Sequence, residues 1–100
     1  MTTRLSDVAR ILRSKNAGPT LLTIDAIFDN AEDMARAATV LTPAAVASRY
    51  GVPADSVRVI AYLPAHALKV TLPRAVIAGG PGDRDVYGAQ AHGPLLDLPL

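Results

Sequence analysis

Strict alternation of apolar and polar positions marks three stretches of the chain, and helical spacing marks three others. Thr20 to Phe28 reads as a strand, with Leu22, Ile24, Ala26 and Phe28 on one face and Leu21, Thr23, Asp25 and Ile27 on the other. Ser56 to Leu63 is a second strand, in which Val57, Val59, Ala61 and Leu63 alternate with Arg58, Ile60 and Tyr62. Ala67 to Leu72 is a third, with Leu68, Val70 and Leu72 opposed to Lys69 and Thr71, and Pro64-Ala-His66 forms the turn between them. His66 receives no role in this reading.

Leu5, Val8, Ile11 and Leu12 form a helical stripe. It predicts a helix over Ser6 to Ser14, capped by Ser6 and ending among Arg10, Arg13 and Lys15. Asn16-Ala-Gly-Pro19 stops it. Asn30 to Val40 is a second helix, capped by Asn30 and opened by Glu32 and Asp33. Thr42-Pro43 starts a third, with proline at the first helical position, and Tyr50-Gly51 ends it. The expected fold is a single α+β domain over residues 1–100, with helices packed on one face of a short mixed sheet. Residues 79–100 read as an irregular polar loop followed by an apolar tail.

Composition sharpens this picture. Half of the residues are hydrophobic but only 4% are aromatic, so alanine and aliphatic side chains must fill the core. The apolar surplus predicts surface that faces another subunit. A net charge of +1 argues against a generic nucleic-acid binder, which carries a basic excess. The third helix could open a helix-turn-helix, but Val52-Pro-Ala-Asp-Ser56 leads into a strand instead of a recognition helix. Without cysteine there is no disulfide, thiol catalysis or thiolate metal site. No apolar run approaches the ~20 residues of a membrane span, and the N-terminal residues lack the apolar core of a signal peptide. The expectation is a cytoplasmic protein with neither a membrane nor a nucleic-acid partner.

Candidate chemistry begins with the lysines. Lys15 and Lys69 are the only two among ten basic residues. A compact ammonium can point one charge at a carboxylate or phosphate, although an ordinary surface role fits as well. Ser14-Lys-Asn-Ala-Gly18 either presents an anion-binding turn, with Lys15 and Asn16, or is a plain helix cap. Asp25 shares a strand face with Thr23; it is either paired with Lys69 on a neighbouring strand or acts as an acid or base. Asp83 and Asp85 flank an arginine in a motif too short to assign a metal. His92, with Gln90 and Tyr87 nearby, combines a proton exchanger with hydrogen-bonding partners. Leu95, Leu96, Leu98 and Leu100 each stand to gain ~1.5–3 kcal/mol from burial, either on their own domain or in a partner, and docking into a partner is the preferred expectation.

Four segments in order, Leu12-Arg-Ser-Lys-Asn-Ala-Gly-Pro19, Leu22-Thr-Ile-Asp25, Ala67-Leu-Lys-Val-Thr-Leu-Pro-Arg74 and Asp85-Val-Tyr-Gly-Ala-Gln-Ala-His-Gly-Pro-Leu-Leu96, carry a resemblance. The chain resembles a bacterial family of small proteins of unknown function associated with the acyclic terpene utilisation (AtuA-like) protein. The resemblance implies a small subunit that partners the larger AtuA-like protein in catabolism of terpenoid or other organic acids, as acids or CoA esters. The leading expectation is an accessory subunit that contributes its polar loop and tail to a shared active site for hydration or dehydration. Asp25, His92 and Lys69 are its candidate catalytic residues, and Lys15, Asn16, Arg74, Tyr87 and Gln90 its candidate substrate contacts. No cofactor is assigned. The alternatives are a structural or regulatory subunit, or a stand-alone homo-oligomeric ligand-binding module.

Overall fold

Residues 3–18, 20–73 and 95–100 are described by the computed structural model. Their elements run α1 (Leu5–Val8), β1 (Ile11–Asn16), β2 (Leu21–Ile27), α2 (Ala31–Ala38), α3 (Pro43–Tyr50), β3 (Arg58–Tyr62) and β4 (Ala67–Pro73). Short 3-10 turns at Ala54–Ser56 and Leu63–Ala65 precede β3 and β4. The α+β class holds. The sheet, however, is antiparallel at every pairing and not mixed, in the order β1-β2-β4-β3. Strands β2 and β3 run in the same direction, but β4 lies between them and pairs with both. Strands β1 and β4 likewise share a direction and are separated by β2, so no two neighbouring strands are parallel.

The helix expected over Ser6 to Ser14 is also corrected. Only Leu5–Val8 is helical. Ala9 turns extended, Arg10 donates its N–H to the Ile27 carbonyl at 2.8 Å, and β1 then pairs with β2 through six residues. Sheet hydrogen bonding along the whole of β1 outweighs a short helix, whose nucleus is costly. Asn16 consequently ends β1 and Gly18 belongs to the hairpin turn, and neither forms a helix cap. Gly18 has φ +117°, a conformation open to glycine at little steric cost.

The central helices follow their caps. The Asn30 side chain accepts from the Asp33 N–H at 2.8 Å, and the Thr42 hydroxyl accepts from the Ala45 N–H at 3.2 Å. Gly51, at φ +67°, closes α3 in the left-handed conformation. Met34 and Ala37 of α2 and Val46 and Ala47 of α3 meet Leu22, Ile24, Ala26, Leu68, Val70 and Leu72 of the sheet in one core. Phe28, just beyond β2, is the largest fully buried side chain among the described residues.

The apolar tail joins that core. Leu95 and Leu98 are buried with Leu5 in the chain's own interior, which overturns the expected docking of these leucines into a partner. Backbone bonds fasten the segment: Leu5 N–H to the Leu98 carbonyl (2.8 Å), Ser6 N–H to Leu96 (3.1 Å) and Leu100 N–H to Thr3 (2.9 Å). The Arg49 guanidinium also pairs with Asp97 across to α3. Burying leucine here satisfies the same apolar driving force without a second chain. Leu96 alone of the four stays largely exposed.

Tyr50, at the end of α3, packs against this core, and burial pushes its phenol up from the usual value of 10.0. A raised folded pKa means that stability is complete below about pH 10 and is lost as pH rises towards the folded value. Thermal melts at increasingly alkaline pH are therefore expected to fall, and Tyr50→Phe is expected to flatten that slope. An unchanged slope in the variant would show that the phenol is not responsible.

Candidate functional site

Alternation along four antiparallel strands sorts the sheet into two faces. The first packs on the core. The second carries Ile11, Arg13 and Lys15 from β1, Leu21, Thr23, Asp25 and Ile27 from β2, Arg58, Ile60 and Tyr62 from β3, and Ala67, Lys69 and Thr71 from β4. Ile11, Leu21, Ile60 and Tyr62 are among the exposed large hydrophobic residues, with Ile60 at 55% and Tyr62 at 59% exposure.

The register lines these side chains into rows. One row runs Arg13, Asp25, Lys69, Ile60, each opposite the next across neighbouring strands. A flanking row on one side is Ile11, Ile27, Ala67, Tyr62, wholly uncharged; on the other it is Lys15, Thr23, Thr71, Arg58. Among the described residues four cations thus share this face with one carboxylate, Asp25. The Arg13 guanidinium lies 3.6 Å from the Asp25 carboxylate, whose side chain keeps only 14% of its exposure. Among the described residues Lys69 sits in register with Asp25 but makes no ion pair of its own. Thr23 is buried between Lys15 and Thr71.

A groove of about 390 Å³ opens over the Asp25 row. Arg13, Asp25 and Lys69 form its polar side, and Ile27, Ile60 and Tyr62 its apolar side. The arrangement can hold a small anion against the Arg13 guanidinium and the Lys69 ammonium while an attached apolar group rests on the isoleucines and the tyrosine ring. Surface pairs such as Arg13–Asp25 contribute little to stability, because solvent screens them and two side chains must be ordered. Their use lies in placing charge.

The candidates read from sequence separate accordingly. Asp25 and Lys69 face each other across β2 and β4, and Lys15 lies on the same face one row away. Asn16, next to Lys15, is opposite Leu22 and half-buried on the core side, so the pleat parts it from Lys15. Arg74, Tyr87, Gln90 and His92, with Asp83 and Asp85, lie outside the described residues. No group of three or more His, Asp or Glu side chains gathers into a metal site among the described residues.

Sequence reasoning missed Arg13, Arg58, Ile60 and Tyr62 as members of the site. For β3 the signal was present: Arg58, Ile60 and Tyr62 alternate against a core-facing set and include two large apolar side chains on the polar side. Arg13 was hidden by its assignment to a helix. No described helix is long and apolar enough to cross a membrane.

Comparison with curated proteins and with solved structures gives no match. The model of one family, a domain of unknown function (DUF4387), matches residues 5–99 and so takes in β1 to β4, both central helices and the tail; the chain belongs to that family.

Proposed function

We propose that this chain is a small accessory subunit of a hetero-oligomeric catabolic enzyme that acts on organic acids or their CoA esters by hydration or dehydration. The observation that carries the reading is the second sheet face, where exposed isoleucine and tyrosine side chains adjoin four cations arranged around a single carboxylate. Apolar surface of this kind on a small domain is suited to covering by another protein. The cations suit the carboxylate or phosphate of a substrate held between the two chains. The partner is the larger AtuA-like protein, on the strength of the resemblance set out above.

In this reading Lys69 and Arg13 hold the acid group, and Lys15, one row away, adds a further cation to the face. Asp25 exchanges the proton, and its Arg13 contact keeps the carboxylate aimed into the groove. His92, Arg74, Tyr87 and Gln90 complete the set carried over from the sequence, and Asn16, on the core side of the sheet, leaves it. The tail has no part in it, because its leucines are needed by the core. A purely structural subunit is the second reading, and the exposure of Ile60 and Tyr62 is the observation that favours it.

Native mass spectrometry after co-expression with the larger protein tests the assembly. A stable two-chain complex is expected, and an exclusive homo-oligomer would refute the subunit reading. Two variants then separate the roles. Tyr62→Asp is expected to dissociate the complex by placing a charge on the apolar side of the face. Asp25→Asn is expected to leave assembly intact and lower turnover by at least ~100-fold, as removal of an acid–base group does. Full turnover with Asp25→Asn would reduce the chain to a structural role.

A further inference from the structure

The groove over Asp25 is more selective than the sheet face as a whole. Among the described residues its charged lining is Arg13, Lys69 and Asp25, two cations against one anion, which leaves one positive charge to be matched. The remaining wall is apolar: Ile27 beside Ala67, and Ile60 and Tyr62 on β3. Its volume of about 390 Å³ lies at the small end of the ~300–1,000 Å³ typical of small-molecule sites. Lys15 and Arg58 belong to the next row and are not part of the lining.

We infer that this groove binds the free form of a short aliphatic monocarboxylic acid, with its carboxylate between Arg13 and Lys69 and its chain along Ile27, Ile60 and Tyr62. The inference rests on the reading of this face as an organic-acid site, and it chooses between the two substrate forms left open there. A CoA ester has no free carboxylate at its acyl end, brings several phosphate charges and is far larger than the groove. A free monoacid matches both the single surplus charge and the apolar wall. Asp25 sets the charge balance: it neutralises one cation, so a dianion gains no second partner. The carboxylate that orients Arg13 thereby also limits the ligand to one charge.

Hexanoate is the probe, titrated into the isotopically labelled full chain without any partner and followed by amide chemical shifts. Saturable shifts are expected at Arg13, Asp25, Lys69 and Tyr62. Hexanoate is expected to bind about tenfold more tightly than butanoate, from two further methylenes on the apolar wall. Lys69→Gln, an exposed substitution, is expected to weaken hexanoate about tenfold by removing a charge-assisted contact. Asp25→Asn is expected to strengthen it, since the competing carboxylate is gone. Absence of saturable shifts, equal binding of 1-hexanol, indifference to Lys69→Gln, or tighter binding of hexanoyl-CoA would each overturn the inference. The subunit reading fails by a different measurement, the native mass of the co-expressed proteins, and can fail while hexanoate still binds.

Discussion

Deleting residues 95–100 is expected to abolish cooperative folding of the domain. Leu95 and Leu98 are fully or almost fully buried, and each Leu→Ala change at such a site costs about 2–5 kcal/mol. Deletion removes both, uncovers Leu5 and breaks the backbone bonds that Leu98, Leu96 and Leu100 make with the N-terminal segment. The whole stability of a domain this size is about 5–15 kcal/mol, so the loss consumes most or all of it. Urea denaturation followed by circular dichroism reads the outcome directly. Leu95→Ala and Leu98→Ala should each shift the midpoint down, and the deletion should leave no cooperative transition. An unchanged midpoint after deletion would mean that these leucines serve another chain.

Phe28→Ala is the single substitution expected to cost most, about 3–5 kcal/mol. Phe28 follows β2 and is only 2% exposed, within the cluster formed by both central helices and the sheet. Its N–H donates at 2.9 Å to the carbonyl of His66, a residue held at φ +49° in the turn between β3 and β4. The alanine variant keeps that backbone bond and loses only packing. The expected cost is therefore a cavity cost, and Phe28→Leu should recover a large part of it. Equal destabilisation by leucine and alanine would point to a requirement for the ring itself.

These two positions differ in how openly the sequence announces them. Phe28 continues the alternation of Leu22, Ile24 and Ala26, and its inward direction follows from the strand period alone. The caps at Asn30 and Thr42 and the glycine stop at Gly51 are equally local signals, so α2 and α3 were readable within two residues. Strand β1 was not. Its core-facing positions are Leu12, Ser14 and Asn16, and only one of them is apolar, so the inward face does not look like one. Meanwhile Leu5, Val8, Ile11 and Leu12 imitate a helical stripe. The partner strand supplies what β1 lacks, and pairing is information that no local window contains.

The site was half legible for the same reason. Asp25 stood out as a carboxylate in an apolar strand, and Lys69 as its cross-strand neighbour, because both lie on correctly read strands. Arg13 joined them only once β1 was placed at the sheet. Leu95 and Leu98 of the tail were correctly marked as needing burial, whereas Leu96 stays exposed and Leu100 is partly buried. Their destination was decided by shape: the space beside Leu5 is closed by Leu95 and Leu98 of the same chain.

The insertion of β4 between β2 and β3 has a consequence for synthesis on the ribosome. While residues up to the end of α3 emerge, the β1–β2 hairpin can form, but the other edge of β2 has no partner until β4 is made. Such a ribbon is marginal by itself and open to pairing with other nascent chains. The domain can close only after β4 has been made, and it can complete its interior only after Leu98 has left the exit tunnel. Folding of this domain thus waits for its last segment, and slowing elongation before that segment is made would lengthen its exposure without helping it fold.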